Sequence, residues 1–315
     1  MCERERRDDT VSESIIEVEH LTKRYGNATA VDDISFSVSE GSIFSFLGPN
    51  GAGKSTTINT LCTILDKTSG RLRVGGHDVD RERDLVRKDI GIVFQESTLD
   101  SKLTVEENLE FHCAFYGMPR RNMSESIDFV LDLVGLRDRR NDAVGSLSGG
   151  MRRRVEIARG LVHSPKVLFL DEPTAGLDPQ TRANVWDYIG RLQQQRDITI
   201  FLTTHYMDEA EISSSVAIID HGKIVASGTP DELKARFTKE SLRVTANDTN
   251  DMTETLRDSG IRFDRDGYDF KIPVEGSEQA IDLLNKVRED IKCFEVTKGS
   301  LNDVFLAVTG REVRE

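Results

Sequence analysis

The sequence predicts an α/β fold organised around a parallel sheet, followed by a small α+β domain. Three short apolar runs, at residues 43–47, 167–170 and 198–202, are typical of parallel strands that are covered on both faces. A glycine-rich segment at residues 48–56 follows the first run and leads into a helical pattern. After about Lys239 a second pattern of strands and helices begins, and a length of 315 residues agrees with two domains.

The composition indicates a globular protein of the cytoplasm. Hydrophobic residues make up 37% of the chain, which is enough for an ample core. No apolar run reaches the roughly 18 residues of a membrane span, so we expect no transmembrane segment. The four cysteines show no C-x-x-C spacing, which suits a reducing compartment and gives no metal site. A net charge of −13 argues against general nucleic-acid binding.

Changes in the residue pattern predict the domain boundaries. Residues 1–14 are highly charged, so we predict a disordered tail that is neither a signal peptide nor an anchor. The first domain should span residues 15–237 and carry a helical subdomain at about 98–160, in which Thr104 begins a capping box. Residues 238–315 should form the second domain.

The first domain should begin with an antiparallel β subdomain. Strand character is found at residues 15–21, 30–38 and 71–74, and a short buried strand is predicted at residues 90–94. Tyr25 lies in a predicted turn at residues 22–27, and Gln95 directly follows the buried strand.

The glycine-rich segment fits G-x-x-x-x-G-K-[ST], the pattern of a phosphate-binding P-loop. It consists of Gly48, Pro49, Asn50, Gly51, Ala52, Gly53, Lys54, Ser55 and Thr56. Its glycines let backbone N–H groups turn toward an anion at a helix N-terminus. Lys54 would reach the β- and γ-phosphates, and Ser55 would bind Mg²⁺. The alternative is a glycine-rich turn with a stray lysine, but the flanking strand and helix favour binding of a nucleoside triphosphate.

Further polar residues follow the apolar runs. Asp171 and Glu172 end one predicted strand and His205 follows another, at the sheet edge where α/β proteins bind ligands. Asp178 precedes a proline and is predicted as a helix N-cap. Residues 148–150, Ser-Gly-Gly, precede a basic helix, and two interpretations stay open: a flexible loop before a solvated arginine face, or a second anion site.

In this order, the motifs resemble those of the ATP-binding cassette (ABC) ATPases across residues 15–237. The resemblance rests on Tyr25, the P-loop, Gln95, residues 147–150, residues 167–172, Asp178 and His205. Residues 202–211 and 301–310 are similar to the daunorubicin-resistance type of export cassette. The resemblance implies a P-loop NTPase fold and an ATPase that uses ATP with Mg²⁺.

The resemblance also implies a role for each motif residue. Tyr25 would stack on the adenine, Gln95 would contact the metal and the attacking water, and Asp171 would bind Mg²⁺. Glu172 would act as the general base, and His205 would contact the γ-phosphate.

A second set of roles implies a dimer with ATP at its interface. Ser148 and Gly150, with Gly149 between them, would contact ATP bound by the other subunit, and Asp178 would signal across to it. The dimer would be a homodimer or a pair with a second ATPase subunit. At position 151 this sequence has Met where the family most often has Gln. This difference concerns the side-chain contacts of that one residue, and the contacts of Ser148 and Gly150 with ATP should be kept.

The resemblance implies that ATP-driven dimerisation powers a separate membrane-spanning permease subunit. The chain would then act at the cytoplasmic face of the membrane in exporting drugs, antibiotics or lipids. The alternative is a soluble ABC ATPase of DNA repair or of the ribosome. Repair-type relatives insert long heptad coiled coils and ribosome-acting relatives carry two cassettes, whereas this sequence has no sustained heptads and one P-loop.

The second domain is predicted to be ferredoxin-like, with the order βαββαβ and a final helix from about Leu301. Leu301, Val304, Phe305 and Val308 form an apolar stripe that must be buried against another element. No nucleotide motif occurs in this domain, so it is predicted to stabilise or regulate the first domain, or to contact a partner.

Overall fold

The computed structural model describes residues 14–196, 198–288 and 290–310. The chain divides into two compact units, Met1–Ser227 and Gly228–Glu315, which are described separately. Of the tail predicted for residues 1–14, only Ser14 lies within the described residues. No helix in the described ranges combines the length and the apolar character needed to cross a bilayer.

The first unit contains an antiparallel and a mostly parallel sheet. Its strands are β1 (Ser14–Tyr25), β2 (Ala28–Ser39), β3 (Ile43–Leu47), β4 (Ser69–Val74), β5 (His77–Asp78), β6 (Ile90–Val93), β7 (Val167–Asp171), β8 (Thr199–Thr204), β9 (Ser215–Asp220) and β10 (Lys223–Gly228). Its helices are α1 (Lys54–Leu61), α2 (Arg83–Asp89), α3 (Val105–Phe115), α4 (Arg120–Leu133), α5 (Gly149–Leu161), α6 (Pro179–Arg196) and α7 (Met207–Glu211).

The antiparallel sheet has the strand order β2-β1-β4-β5. Strand β1 continues to Tyr25, which pairs with Ala28, so the connection between β1 and β2 is shorter than the turn predicted for residues 22–27. The strand extends this far because Leu21 and Thr22 are both buried. Gly26, at the tip of the hairpin, has a φ of 56°, a conformation that glycine adopts without steric cost.

The second sheet has the order β10-β9-β3-β8-β7-β6, and it confirms the predicted parallel core. Every residue of β3, β7 and β8 is buried, as expected for strands covered on both faces. Leu47 lies opposite Thr204, and Asp171 lies opposite Thr203. The segments that follow these three strands therefore leave the sheet at the same edge.

Helices α3, α4 and α5 lie between β6 and β7, in the stretch for which a helical subdomain is predicted. The capping box of α3 is confirmed, because Thr104 Oγ1 accepts from the Glu107 N–H at 3.1 Å and the Thr104 N–H donates to the Glu107 carboxylate at 2.7 Å. The three helices share a core that includes Leu109, Val130 and Val155.

The second unit has the predicted ferredoxin-like arrangement. It contains α8 (Pro230–Phe237), β11 (Glu240–Ala246), α9 (Thr249–Asp258), β12 (Asp264–Asp266), β13 (Asp269–Val274), α10 (Ser277–Val287), β14 (Ile291–Thr297) and α11 (Leu301–Thr309). The sheet order is β12-β13-β11-β14 with antiparallel neighbours, which is the order 2-3-1-4 of a βαββαβ domain.

The division between the units falls at Gly228, before α8, whereas the sequence predicts a boundary after residue 237. Helix α8 packs against α11. Leu233 of α8 is buried, as are Leu301, Val304 and Phe305 of α11. The apolar stripe of the last helix thus meets a helix that lies within the predicted first domain.

Candidate active site

The P-loop lies between β3 and α1 beside a cavity of about 340 Å³. The cavity is lined by Ala30, Asn50, Gly51, Gly53, Lys54, Ser55, Thr56, Gln95 and Glu172. Glycine is required in this loop, because Gly51 and Gly53 have φ values of 80° and 109°. A Cβ at Gly48 would lie 2.3 Å from the carbonyl oxygen of Ile219. The loop backbone can therefore pass close to its neighbours and to a ligand.

Lys54 and Asp171 place opposite charges beside P-loop atoms. The Lys54 ammonium is buried and donates to the carbonyl oxygen of Gly48 at 2.8 Å. Asp171 Oδ1 accepts from the Ser55 hydroxyl at 3.3 Å and from the Thr203 hydroxyl at 2.5 Å. Hydroxyl and carboxylate oxygens are the ligands that Mg²⁺ prefers, so Ser55 and Asp171 fit this ion.

Glu172 is the side chain on which the predicted catalytic residues converge. Its Oε1 lies 3.1 Å from Lys54 Nζ, and its Oε2 lies 3.5 Å from Gln95 Nε2 and 3.4 Å from His205 Nδ1. The Glu172 N–H donates to the carbonyl and hydroxyl oxygens of Thr203 at 3.2 and 3.1 Å. With a φ of 45°, Glu172 adopts a left-handed conformation that these contacts maintain.

His205 packs against Tyr206, which in turn lies beside Arg182. Its ring lies 4.1 Å from that of Tyr206, and the Arg182 guanidinium lies 3.8 Å from the Tyr206 ring centroid. His205 Nδ1 is buried and makes no hydrogen bond within the described part of the chain. His205 is not among the residues that line the cavity, and it reaches the site through the 3.4 Å approach of its Nδ1 to Glu172 Oε2.

The remaining predicted site residues, Tyr25, Ser148, Gly149, Gly150 and Asp178, are not among the residues that line this cavity. Tyr25, at the end of β1, is 48% exposed. Ser148, Gly149 and Asp178 are also exposed. Asp171 and His205 do not line the cavity either, but they contact Ser55 and Glu172, which do. The fold of one chain therefore brings together the P-loop, Gln95, Asp171, Glu172 and His205, and it leaves Tyr25, residues 148–150 and Asp178 outside the cavity.

Residues 148–150 and Asp178 are neighbours on the surface. Ser148 Oγ accepts from the Met151 N–H at 3.3 Å and begins α5, while the Met151 side chain packs against the core of the helical subdomain. A Cβ at Gly150 would lie 2.3 Å from Thr181 Cγ2. Thr181 donates its hydroxyl and its N–H to Asp178, at 2.6 and 3.0 Å, which lowers the pKa of that carboxyl.

Sequence reasoning missed Thr203, Tyr206 and Arg153. Thr203 and Tyr206 stand beside the predicted strand end at His205, so adjacency to that residue was an available signal. Arg153 is buried and donates to backbone carbonyl oxygens at the end of β7. It shares the helix face of Ile157 and Leu161, at i+4 and i+8, a periodicity that marks it as a residue of the packed face.

Two protein families match the chain. The family described as "ABC transporter" matches residues 31–175. The family described as "ATP-binding protein DrrA1-3-like, C-terminal domain" matches residues 228–309, which correspond to the second unit.

Similar proteins cover almost the whole chain. The daunorubicin/doxorubicin resistance ATP-binding protein DrrA of Streptomyces peucetius is 39% identical, over 94% of this chain and 92% of that protein. The linearmycin resistance ATP-binding protein LnrL of Bacillus subtilis is 34% identical, over 96% of this chain and 100% of that protein. Among solved structures, CbiO1 from Clostridium perfringens, part of the ABC transporter complex CbiONQ, matches with a TM-score of 0.66 and 32% identity over 70% of this chain and 91% of its own.

Proposed function

The chain belongs to the ABC transporter family, and on this premise we propose that it is the ATP-hydrolysing subunit of an exporter of drugs or antibiotics. The observation that carries the proposal is the convergence of Lys54, Gln95 and His205 on Glu172 beside the P-loop. Relatives along the full length of the chain are named for resistance to daunorubicin and to linearmycin, which favours export over DNA repair or ribosome function.

Binding of ATP would place its phosphates in the P-loop, with Lys54 against the β- and γ-phosphates. Ser55 and Asp171 would hold Mg²⁺, which supplies charge neutralisation on these phosphates when it is bound. The described residues contain no cluster of three or more His, Cys, Asp or Glu side chains that could hold a metal. A site with so few protein ligands is consistent with Mg²⁺, because this ion is usually bound by one or two carboxylates together with substrate phosphates.

Hydrolysis requires one proton transfer and stabilisation of the charge on the transferred phosphoryl group. The Glu172 carboxylate is positioned to accept the proton of a water that attacks the γ-phosphorus, and Gln95 is positioned to orient that water. Lys54 and His205 lie on either side of Glu172, where each can stabilise charge on the phosphate oxygens. The roles assigned to these side chains are therefore positioning, proton acceptance and charge stabilisation.

Completion of the site would require a second subunit. Ser148, Gly150 and Asp178 lie outside the cavity and on the surface, although their motifs are those of ATP contact and signalling. In a dimer, each subunit would present residues 148–150 to the ATP held by the P-loop of the other. Two composite sites would result, and closing them on ATP would be the movement that the exporter uses.

Tyr25 is proposed to stack on the adenine of ATP, because it is an exposed aromatic residue at the end of β1. Tyr25→Ala should weaken ATP binding by about 1–3 kcal/mol, the range of base–aromatic stacking, whereas Tyr25→Phe should retain most of the affinity. Calorimetric titration of the full chain with ATP measures both. Tyr268→Ala, at an exposed tyrosine of the second unit, is the matched control. Equal loss in the Ala and Phe variants of Tyr25 would contradict stacking.

The membrane-spanning partner is proposed to dock on α3. Phe111 and Phe115 are spaced i, i+4 on this helix and are 71% and 77% exposed, an apolar surface that a monomeric protein does not need. Phe111 also lines a groove of about 750 Å³ between α3 and the start of α4. The chain would thereby be held at the cytoplasmic face of the membrane.

Co-purification from solubilised membranes tests the partner and its docking surface together. The tagged chain should capture an integral membrane protein, and substituting Phe111 and Phe115 by serine should reduce its yield at least about tenfold, because buried aromatic anchors dominate such interfaces. Ile64→Ser, at another exposed apolar residue of the same unit, should leave the yield unchanged. Capture of ribosomal or DNA-repair proteins in place of a membrane protein would contradict export.

A further inference from the structure

Arg153 is buried in α5, at 6% exposure, where three segments of the first unit meet. Its guanidinium donates to the carbonyl oxygens of Pro173 at 2.5 Å, Phe94 at 2.5 Å, Asp171 at 3.2 Å and Glu172 at 3.3 Å, and to Glu156 Oε2 at 2.7 Å. Residues 171–173 end β7, and Phe94 directly precedes Gln95. One side chain therefore holds the backbone of both segments that carry the predicted metal-binding and water-activating residues.

Glu156 extends this contact along α5. It is also buried, and its Oε1 accepts from the Thr98 N–H at 3.3 Å. Arg159, one turn further on, donates to the carbonyl and hydroxyl oxygens of Thr98 at 3.0 and 2.5 Å. Arg159 is half-buried, and its Nε makes no hydrogen bond among the described residues. The buried ion pair of Arg153 and Glu156 is therefore what holds these segments in one arrangement. Helix α5 is thus tied to the stretch that follows Gln95 as well as to β7.

The same helix begins at Ser148, which the proposed function assigns to the ATP of the other subunit. From Ser148 to Arg153 the helix rises only about 7.5 Å. A short hydrogen-bonded helix moves as one body, and rigid elements joined by hydrogen-bond networks carry coupling between sites. Residues 148–150 and the carbonyl groups that Arg153 holds are therefore joined through a single helix.

We propose that Arg153 is a positioning residue that, together with Glu156, couples the two ATP sites of the dimer. ATP in a subunit's own P-loop would hold Gln95 and Glu172 in one arrangement. Because Arg153 bonds the backbone of both segments, α5 would then be held in one position. Helix α5 would in turn place Ser148 against the second ATP. The inference rests on the proposed function, because it requires two composite sites. Coupling of this kind makes the first ATP improve the binding of the second.

Arginine suits this role because its planar fork of five donors reaches several carbonyl groups at once, whereas a lysine ammonium is a single point of charge. Arg153→Lys keeps the charge beside Glu156 but loses the fork. Glu156→Gln keeps the volume of the side chain and removes the ion pair, which gives a second variant if the first folds poorly. Arg154→Lys is the matched control, because Arg154 donates to the Val134 carbonyl and to the Tyr188 hydroxyl and makes none of these site contacts.

The experiment is the ATPase rate of the full-length protein as a function of ATP concentration. With two coupled sites the parent should show a Hill coefficient approaching about 2, the number of sites. Arg153→Lys and Glu156→Gln should each bring it to about 1 and lower kcat by about 10²-fold, the effect of misplacing reacting groups by roughly 1 Å. Arg154→Lys should keep the Hill coefficient of the parent.

The outcomes separate the two proposals. A parent that hydrolyses no ATP contradicts the proposed function, and the coupling falls with it. An active parent with a Hill coefficient of 1, or Arg153→Lys and Glu156→Gln proteins that are slower but as cooperative as the parent, overturns the coupling alone. A purely structural role would lower the melting temperature and kcat without changing the Hill coefficient.

Discussion

Lys54→Ala should lower kcat for ATP hydrolysis by about 10²–10³-fold, the cost of removing one preorganised group that stabilises charge in a transition state. The Lys54 ammonium is only 4% exposed and is aimed by the carbonyl oxygens of Gly48 and Pro49, at 2.8 and 3.2 Å. In such a site little water can replace the lost charge. The measurement is phosphate release by the purified full-length protein at saturating ATP.

The same substitution affects Glu172, because Lys54 lies 3.1 Å from that carboxylate. Removing one member of a buried pair leaves an uncompensated charge, which destabilises the fold as well as the site. Melting temperatures of the variant and the parent should therefore be compared before the rates are interpreted. Lys166→Ala is the control, since Lys166 forms an exposed ion pair with Asp89 and should leave hydrolysis unchanged. Equal rates for Lys54→Ala and the parent would contradict the P-loop assignment.

The part of the site that the sequence could predict is the part built from consecutive residues at strand ends. The apolar runs before Gly48, Asp171 and His205 are confirmed as buried strands. The residues that follow parallel strands lie at the same edge of the sheet, because the strands end there. At these positions the local apolar pattern of the sequence predicts the same strands that the sheet contains. The sequence predicts only that Lys54, Glu172 and His205 follow such strands, and the structure shows that Lys54 and His205 both approach Glu172.

Contacts between distant segments were not predictable in this way. Arg153 and Glu172 are separated by much of α5 and all of β7, and only packing decides which arginine of the basic helix turns inward. The interpretation as a solvated arginine face treated these arginines as one group, whereas the structure separates buried Arg153 from the half-buried Arg152 and Arg154. The boundary of the second unit depends likewise on α8 packing against α11, a contact between the two ends of the unit.

Glu172→Gln should strongly slow hydrolysis while ATP binding is retained. The carboxamide has the shape of the carboxylate and can still accept from Lys54, but it cannot take a proton from the attacking water. Loss of a general base lowers kcat by about 10²–10⁴-fold. Because ATP at the proposed interface is then not consumed, the closed dimer should accumulate. Light scattering with ATP and Mg²⁺ should report twice the chain mass of 35.3 kDa.

A second substitution in the Glu172→Gln protein tests whether residues 148–150 make the interface. Ser148→Arg places a bulky cation at the N-terminus of α5, where the proposed dimer brings the ATP of the other subunit, so the doubled mass should disappear although each chain still binds ATP. Ser146→Arg is the matched control, because Ser146 is also exposed, in a short 3₁₀ helix just before the motif, and the proposed dimer assigns it no contact with ATP. Its hydroxyl donates to the Ala143 carbonyl oxygen at 2.7 Å. If Glu172→Gln protein stays monomeric and hydrolyses ATP rapidly, Glu172 is not the base. If the Ser148→Arg form still dimerises on ATP, the composite site is wrong, because a charged side chain of that size cannot share the position of a phosphate.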